Sequence, residues 1–349
     1  MSDGAQIIPV REAHQFNEGA LLDYLNENVD GFKGPLTISQ FQGGQSNPTF
    51  LLHTPDQDYV MRKKPPGVLL PSAHAVDREY KVISALQGTD VPVPKTYCLC
   101  EDDGVIGTAF YVMEKVEGRI IRIPSAPDME KAERAATFDA MNDALAKLHN
   151  VDVDAVGLTD FGKKGSYFNR QIGRWTKQYR ASQTDDLEMM ENLINWLPEN
   201  LPASDETSIT HGDYRLENMI LHPTKPEVIA ILDWELSTLG HPLADLAYNC
   251  MPYHFVHPKS GGLVDVDHEA TGIPTEQEYI DAYCKRTGRD GIENWSFYVA
   301  FSFFRLAGIV QGVYKRGLDG NSSSKVGEEY AMFTNMLASL GWQQVESGQ

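Results

Sequence analysis

Between Thr210 and Asn218 the sequence reads THGDYRLEN, and between Ile231 and Glu235 it reads ILDWE. A short apolar run ends at Thr210 and another begins after Asn218, so the first stretch is predicted to be a loop that leaves a strand. The residues between the two stretches predict two strands joined by a proline-containing turn. Because a hairpin brings its two ends together, Asn218 and Asp233 are predicted to face each other.

The polar residues of these stretches have the order and spacing that phosphoryl transfer from a magnesium nucleotide requires. One carboxylate must orient a substrate hydroxyl and accept its proton, and we assign this catalytic role to Asp213. An amide oxygen and a second carboxylate must hold Mg²⁺ against the phosphates, and we assign them to Asn218 and Asp233. A polar turn before a hairpin is the alternative interpretation, but such a turn does not require all three residues together. The pattern therefore predicts transfer from ATP, with Mg²⁺, to a hydroxyl group.

The composition limits the classes of protein that the chain represents. It has 349 residues, of which 42% are hydrophobic and 23% charged, and its formal net charge is -19. The length favours two domains, and the composition is that of an ordinary globular protein. The negative charge argues against binding to nucleic acid or to an anionic membrane surface. It is compatible with a cationic substrate, although scattered acidic residues also serve solubility.

The chain offers no clear membrane or export signal. The apolar run over residues 295–313 contains Ser302, Arg305 and Gln311, and is interpreted as a buried helix. The first residues lack the basic region and apolar core of a signal peptide. We therefore expect a cytoplasmic protein without a membrane or nucleic-acid partner. The oligomeric state is not indicated.

The two parts of the chain differ in predicted secondary structure. Residues 1–117 predict a loose N-terminus, a short helix capped by Asn17, five strands and one main helix over residues 73–86. Residues 118–349 predict mostly helices, with strands only beside the opening motif. The fold class is thus α+β, with a five-stranded antiparallel sheet in an N-terminal nucleotide-binding lobe and a larger helical C-terminal lobe. The second lobe is expected to hold the catalytic loop, the metal site and the acceptor pocket, with a cleft between the lobes.

Four segments resemble the aminoglycoside phosphotransferase and choline kinase superfamily. They are HGDYRLEN at 211–218, LDWE at 232–235, VMRKKPPG at 60–67 and GHPLADLA at 240–247. The closest resemblance is to kinase-like proteins related to the domain fused to some acyl-CoA dehydrogenases. It implies a bilobal protein-kinase-like fold and a phosphotransferase that uses Mg²⁺ and ATP.

The resemblance also implies residues that bind the nucleotide. Gly43, Gly44 and Ser46 occupy the place of a phosphate-covering loop, where glycine lets N–H groups approach phosphate oxygens. Arg62 stands where protein kinases carry a lysine for the phosphates, and arginine binds phosphate through two N–H groups. Glu79 is placed on the main helix to pair with that cation.

Three further assignments follow from the same resemblance. Lys63 points to the opposite face of its strand from Arg62, so we favour Arg62, although either residue remains a candidate for the phosphate contact. The main chain around Glu114 and Val116 is expected to recognise the adenine edge. Asp245 is expected to anchor the catalytic loop in a structural role.

The acceptor is expected to be a small molecule rather than a protein. Trp234-Glu235 replaces the Phe-Gly of protein kinases, and the next predicted helix follows Asp233 closely, which leaves no long segment for docking a peptide. The resemblance implies a hydroxyacyl-CoA or a hydroxy acid, and an aminoglycoside is the other candidate. A basic patch would suit an acyl-CoA, but a solvated helix face explains the same residues: Lys163, Lys164, Arg170, Arg174, Lys177 and Arg180.

The sequence disfavours two other classes of protein. A non-catalytic nucleotide-binding module, or pseudokinase, is disfavoured because Asp213, Asn218 and Asp233 are all present. A metal-dependent hydrolase is disfavoured because no His-x-His or His-Glu-x-x-His spacing occurs.

Overall fold

The structure is a computed structural model, and it describes residues 6–42, 47–65, 75–320 and 327–348. Packing divides the chain into two compact units. The first unit consists of Met1–Ile121, Asp154–Phe161 and Leu216–Ser237, and the second of Arg122–Val153, Gly162–Arg215 and Thr238–Gln349. The division of roles between residues 1–117 and 118–349 stays a prediction.

The secondary structure confirms the α+β class. In chain order the strands are Ile7–Ile8 (β1), Thr37–Phe41 (β2), Thr49–His53 (β3), Asp58–Lys63 (β4), Thr96–Cys100 (β5), Phe110–Glu114 (β6), Ser208–Thr210 (β7), Met219–Leu221 (β8), Val228–Ile231 (β9), Thr238–Gly240 (β10), Val256–His257 (β11) and Gly261–Gly262 (β12). The helices are Glu18–Asn28 (α1), Val76–Leu86 (α2), Asp103–Ile106 (α3), Lys131–His149 (α4), Tyr167–Ser182 (α5), Glu188–Glu199 (α6), Pro242–Cys250 (α7), His268–Thr271 (α8), Glu276–Thr287 (α9), Trp295–Leu318 (α10) and Glu329–Ser347 (α11). The predicted cap of α1 is confirmed, since the Asn17 side chain accepts the N–H of Ala20.

The sheet of the first unit is antiparallel and has six strands, in the order β1-β2-β3-β4-β6-β5. The predicted count of five is therefore wrong. The missed strand is β1, in which Ile7 pairs with Phe41, and the N–H of Gln42 donates to the carbonyl of Gln6 at 2.8 Å. A strand of two residues carries no readable alternation, so its formation depends on the open edge of β2 rather than on local sequence.

The two faces of the sheet in the first unit carry different kinds of side chain. On one face Leu21 and Leu25 of α1 join Met61 of β4 in a buried apolar core. Successive side chains of a strand alternate between faces, so Arg62 lies on the opposite face from Met61 and Lys63. Helix α2 contacts β5 and β6. The pleat of β4 thus separates the two candidate cations from each other.

The predicted hairpin is present as β8 and β9, with Met219 opposite Ile231. It is attached to the first unit by main-chain hydrogen bonds. Arg119 and Leu221 exchange two such bonds, each 2.8 Å long, and the N–H of Ile231 donates to the carbonyl of Pro92 at 2.9 Å. The hairpin is therefore part of the first unit although it follows the catalytic loop in the sequence.

The second unit is built around α10, which contacts α5, α6, α7 and α11. This helix is long and apolar enough to cross a membrane, but 72% of its most apolar window is buried inside the protein. Phe168 of α5 meets the edges of Phe297 and Phe301 at centroid distances of 5.1 and 5.0 Å. This burial is the pattern of a core helix, as interpreted from the sequence.

The expectation that this half has strands only beside the opening motif is wrong. Strands β7 and β10 pair and lie beside the motif, as predicted, but β11 and β12 form a further pair away from it, in which Val256 lies opposite Gly262. Each of the last two strands has only two residues, and one of them is Gly261-Gly262. Glycine is depleted in strands, so local propensity gave no signal for this pair.

The close approach of Gly118 to β8 gives a test of how the hairpin is attached. A Cβ at Gly118 would lie 2.2 Å from the carbonyl oxygen of Leu221 and 2.4 Å from Cγ2 of Ile220. We expect Gly118→Ala to lower the free energy of unfolding in urea by about 1–3 kcal/mol, because the main chain must move apart. Gly173→Ala is the control, since nothing lies within 4 Å of its Cβ position in α5. An equal loss in both variants would contradict the close attachment.

Candidate active site

Arg62 of β4 lies between two carboxylates of the first unit. Its Nη1 is 3.0 Å from Oε2 of Glu79 on α2, and its Nη2 donates to Oδ1 of Asp233 at 3.2 Å. Burial opposes the positive charge, but the Glu79 carboxylate raises the pKa of Arg62 above its ordinary value. The guanidinium is therefore charged, and its predicted pairing with Glu79 is confirmed. Its contact with phosphate stays a prediction.

Glu79 is fully buried and has two further hydrogen-bond donors. The amide of Asn47 donates to Oε1 at 2.6 Å, and the hydroxyl of Tyr111 donates to Oε2 at 3.0 Å. Burial raises the pKa of Glu79, and Arg62 and these donors act against that rise. Tyr111 was missed by sequence reasoning. It lies opposite Arg62 in the β4–β6 ladder, a register that one sequence does not reveal.

The predicted phosphate-covering loop lies outside the described residues, with Gly43, Gly44 and Ser46. Asn47 follows it directly, is buried, and binds Glu79. The residue that follows the predicted loop therefore contacts the carboxylate that pairs with Arg62. The role of the loop residues stays a prediction.

Lys63 lies apart from this group of charges. Its Nζ is 5.3 Å from the ring centroid of Phe16 and 5.9 Å from that of Phe50, and burial lowers the pKa of its ammonium group. Arg62, on the other face of β4, is the cation that contacts Glu79 and Asp233. The structure thus favours Arg62 over Lys63 as the candidate for the phosphate contact.

Asn218 and Asp233 lie at the open end of the β8–β9 hairpin, as predicted. The carbonyl of Asn218 accepts the N–H of Leu232 at 2.8 Å, directly before Asp233. Asp233 has a φ of 65°, a left-handed conformation that few residues other than glycine adopt, although aspartate tolerates it better than most. Such an outlier supports a functional hypothesis for the residue.

The donor chemistry of this hairpin end suits Mg²⁺. An amide and a carboxylate supply only oxygen ligands, and Mg²⁺ commonly takes its remaining ligands from phosphates and water. No cluster of three or more His, Cys, Asp or Glu side chains suited to a metal occurs in the part of the chain that the structure describes. Metal binding by Asn218 and Asp233 stays a prediction.

The segment expected to meet adenine begins at the end of β6. The N–H of Glu114 donates to the carbonyl of Lys95 at 2.7 Å, and the Glu114 carboxylate accepts the N–H of Lys95 at 3.2 Å. The N–H of Glu114 is therefore engaged within the sheet. Val116 is half-buried. The recognition of adenine by Glu114 and Val116 stays a prediction.

In the second unit, Asp245 of α7 holds the main chain of the catalytic loop. Its carboxylate accepts the N–H of His211 and, at 2.8 Å, that of Gly212. Gly212 has a φ of 85°, which favours glycine at this position. Burial would raise the pKa of Asp245, but the hydrogen bond from His149 holds it below its usual range. The contacts agree with a structural role for this carboxylate.

Asp213 follows this anchored main chain, and its side chain is 16% exposed. Its Oδ1 accepts the hydroxyl of Tyr248 at 2.7 Å and lies 3.3 Å from Nε of Arg215. Its N–H donates to Nδ1 of His211 at 3.2 Å, so His211 braces the loop. After Arg215 the chain passes from the second unit to the first, and Asn218 follows.

Two residues beside Asp213 were missed by sequence reasoning. Tyr248 lies three positions after Asp245 on α7, and this helical spacing places both on one face, which is a signal that the sequence does carry. Arg305 of α10 donates to the carbonyl of Gly212 at 2.6 Å. Its distance along the chain gives no such signal.

Known proteins share this fold and sequence. The model of the phosphotransferase enzyme family matches residues 37–283. The chain is 48% identical over 337 residues to acyl-CoA dehydrogenase family member 10 of Mus musculus, with 96% of this chain and 32% of that protein covered. It is 45% identical over 350 residues to acyl-CoA dehydrogenase family member 11 of Homo sapiens, with 98% of this chain and 44% of that protein covered. The chain therefore spans less than half the length of these curated relatives.

Solved structures extend the comparison. A Ralstonia eutropha JMP134 protein, provisionally assigned as an aminoglycoside phosphotransferase, is 50% identical, with a TM-score of 0.89 and coverage of 96% of this chain and 100% of that one. Choline kinase from Cryptosporidium parvum has a TM-score of 0.65 at 11% identity, with 95% and 96% covered. Aminoglycoside phosphotransferase APH(4)-Ia, in complex with ADP and hygromycin B, has a TM-score of 0.61 at 13% identity, with 93% and 98% covered.

The last two similarities concern the fold alone, and they confirm the predicted kinase-like fold. The family model covers most of the chain, and the Ralstonia protein is similar over its whole length. The chain therefore belongs to the phosphotransferase enzyme family.

Proposed function

We propose that this chain transfers the γ-phosphoryl group of ATP to a hydroxyl of a small molecule, with Mg²⁺ as the metal. The observation that carries the proposal is the shared contact of Arg62 with Glu79 and Asp233. The first unit thus brings together a cation on β4, Arg62, a carboxylate on α2, Glu79, and the carboxylate after the β8–β9 hairpin, Asp233. This is the set of groups that kinases use to hold nucleotide phosphates and metal.

Each residue then has a defined task. Asp213 orients the acceptor hydroxyl and takes its proton as the acceptor oxygen bonds to the γ-phosphorus. The bond between that phosphorus and the β–γ bridging oxygen breaks, and ADP leaves with the bridging oxygen. Arg62 binds phosphate oxygens, and Asn218 and Asp233 would hold Mg²⁺, which would neutralise phosphate charge. Catalysis of this kind comes mainly from positioning and charge stabilisation.

For the acceptor we favour a hydroxyacyl-CoA or a hydroxy acid over an aminoglycoside. The curated relatives are named acyl-CoA dehydrogenase family members, and this chain corresponds to less than half of each. A kinase domain and a dehydrogenase domain in one polypeptide are expected to act on related molecules. The names of these relatives therefore support an acyl substrate.

A buried arginine beside the catalytic loop, Arg305, supports an anionic acceptor as well. Arg305 is 7% exposed and forms no ion pair with a carboxylate of the residues that the structure describes. The Arg305 guanidinium lies 5.9 Å from the ring centroid of Trp175, and the Arg174 guanidinium lies 5.6 Å from the same centroid. Within the described ranges, Nε1 of Trp175 is buried without a hydrogen-bond partner. Arg305 is a buried cation without a carboxylate partner among the described residues, so it favours an anionic acceptor over an aminoglycoside, which is a polycation.

Replacement of Asp213 tests the catalytic role. We expect Asp213→Asn to retain Mg·ATP binding, measured by thermal stabilisation, and to lower kcat about 10²- to 10⁴-fold, the usual contribution of a general base. ADP release is measured with 3-hydroxybutyryl-CoA, 3-hydroxybutyrate, hygromycin B and choline as candidate acceptors, and mass spectrometry identifies the phosphorylated product. The wild type is expected to be most active with the first two.

Asp265→Asn is the matched control, because Asp265 is an exposed carboxylate of the second unit. Unchanged turnover in Asp213→Asn would exclude Asp213 as the base. Nucleotide binding by the wild type without ADP release for any acceptor would contradict the proposed reaction and favour the non-catalytic module.

The two cations of β4 provide a second test. Arg62→Lys keeps a positive charge near Glu79 but loses the fork that reaches Asp233. We expect the KM for Mg·ATP to rise about 10- to 100-fold, since a hydrogen bond to a charged group contributes about 1.5–3 kcal/mol. Lys63→Met should leave this KM within about twofold, because Lys63 faces Phe16 and Phe50 instead. A larger effect at Lys63 than at Arg62 would reverse the assignment.

A further inference from the structure

Helix α7 contacts the catalytic loop through two side chains of one face. Asp245 accepts the N–H groups of His211 and Gly212, which fixes the main chain. Three residues later, Tyr248 contacts the Asp213 carboxylate itself, with 2.7 Å between its hydroxyl oxygen and Oδ1. The main chain and the side chain of the loop are thus held by one rigid element.

The direction of the Tyr248 hydrogen bond is fixed by charge. Burial, followed by the negative charge of Asp213, raises the pKa of Tyr248 above its ordinary value. The phenol is therefore protonated at neutral pH and donates its proton to the carboxylate. A hydrogen bond to a charged acceptor is among the strong ones, so it restricts the rotation of the Asp213 side chain.

The ring of Tyr248 is also held in place. The guanidinium carbon of Arg305 lies 5.4 Å from its centroid, within cation–π range. The same guanidinium donates to the carbonyl of Gly212, directly before Asp213. Arg305 belongs to the buried helix α10. The tyrosine is therefore fixed against a residue that itself holds the catalytic loop.

On these contacts, and given the proposed function, we propose that Tyr248 is a positioning residue that sets the orientation of the Asp213 carboxylate toward the acceptor hydroxyl. Transfer rates depend steeply on the alignment of the reacting groups, and a misplacement of about 1 Å costs about 100-fold. When the Tyr248 hydroxyl is removed, Asp213 keeps its charge and its anchored main chain. Its carboxylate, however, loses the contact that fixes its orientation. A tyrosine that only stabilised the loop would affect the free energy of unfolding but would leave kcat unchanged.

Tyr248→Phe removes the hydroxyl and keeps the ring. With 3-hydroxybutyryl-CoA as the acceptor, or with water where no probe is phosphorylated, we expect kcat for ADP release to fall about 10- to 100-fold. The KM for Mg·ATP is expected to change less than about twofold, because the nucleotide is assigned to other residues. Tyr253→Phe is the matched control: its hydroxyl donates to the carbonyl of Pro274 at 2.9 Å, away from the loop.

A double-mutant cycle shows whether Tyr248 acts through Asp213. We expect Tyr248→Phe to lower kcat in the wild type but to have less than about a twofold effect in Asp213→Asn. The same cycle measured by urea denaturation reports the contact without turnover, and non-additive stabilities are expected there. Circular dichroism confirms that each variant is folded.

The outcomes separate the inference from the proposed function. A kcat that Tyr248→Phe leaves unchanged, or an equal loss in both backgrounds, overturns the positioning role while the kinase assignment stands. A wild type that releases no ADP with any acceptor or with water overturns the proposed function, and the inference with it.

Discussion

A single buried guanidinium, that of Arg62, neutralises carboxylates that come from distant parts of the chain. It lies 171 positions from Asp233 in the sequence, yet the two groups are hydrogen-bonded. Glu79 is fully buried, so its charge depends on this cation and on the donors Asn47 and Tyr111. Loss of one partner of such a buried pair is expected to cost about 3–5 kcal/mol. The contact therefore joins the sheet, α2 and the residue after the hairpin in one arrangement.

In the second unit, buried contacts hold the short catalytic loop in one conformation. A carboxylate, Asp245, is buried where two main-chain N–H groups and His149 satisfy it. Breaking any of these hydrogen bonds would leave the buried Asp245 charge less well satisfied, which is costly. The catalytic loop therefore has few alternative conformations. As a result Asp213, although aspartate is usually exposed, is kept largely buried and in one orientation.

Much of this arrangement could be predicted from the sequence. Strand alternation predicts the hairpin and therefore the placement of Asn218 and Asp233 at its open end. The family pattern predicts the pairing of Arg62 with Glu79. The contacts of Tyr111 with Glu79 and of Arg305 with Gly212 could not be predicted, because strand register and helix packing depend on long-range contacts. Strand β1 was missed for the same reason. Tyr248 was within reach, since its spacing from Asp245 is helical.

Asn218 and Asp233 are proposed to hold the metal of a bound nucleotide, while Asp213 is proposed to act on the acceptor. Electron paramagnetic resonance of Mn²⁺, titrated with ADP present, measures this directly and without turnover. We expect nucleotide-dependent Mn²⁺ binding that Asn218→Ala and Asp233→Asn weaken strongly and that Asp213→Asn leaves intact. Unchanged Mn²⁺ binding in Asp233→Asn would contradict this assignment.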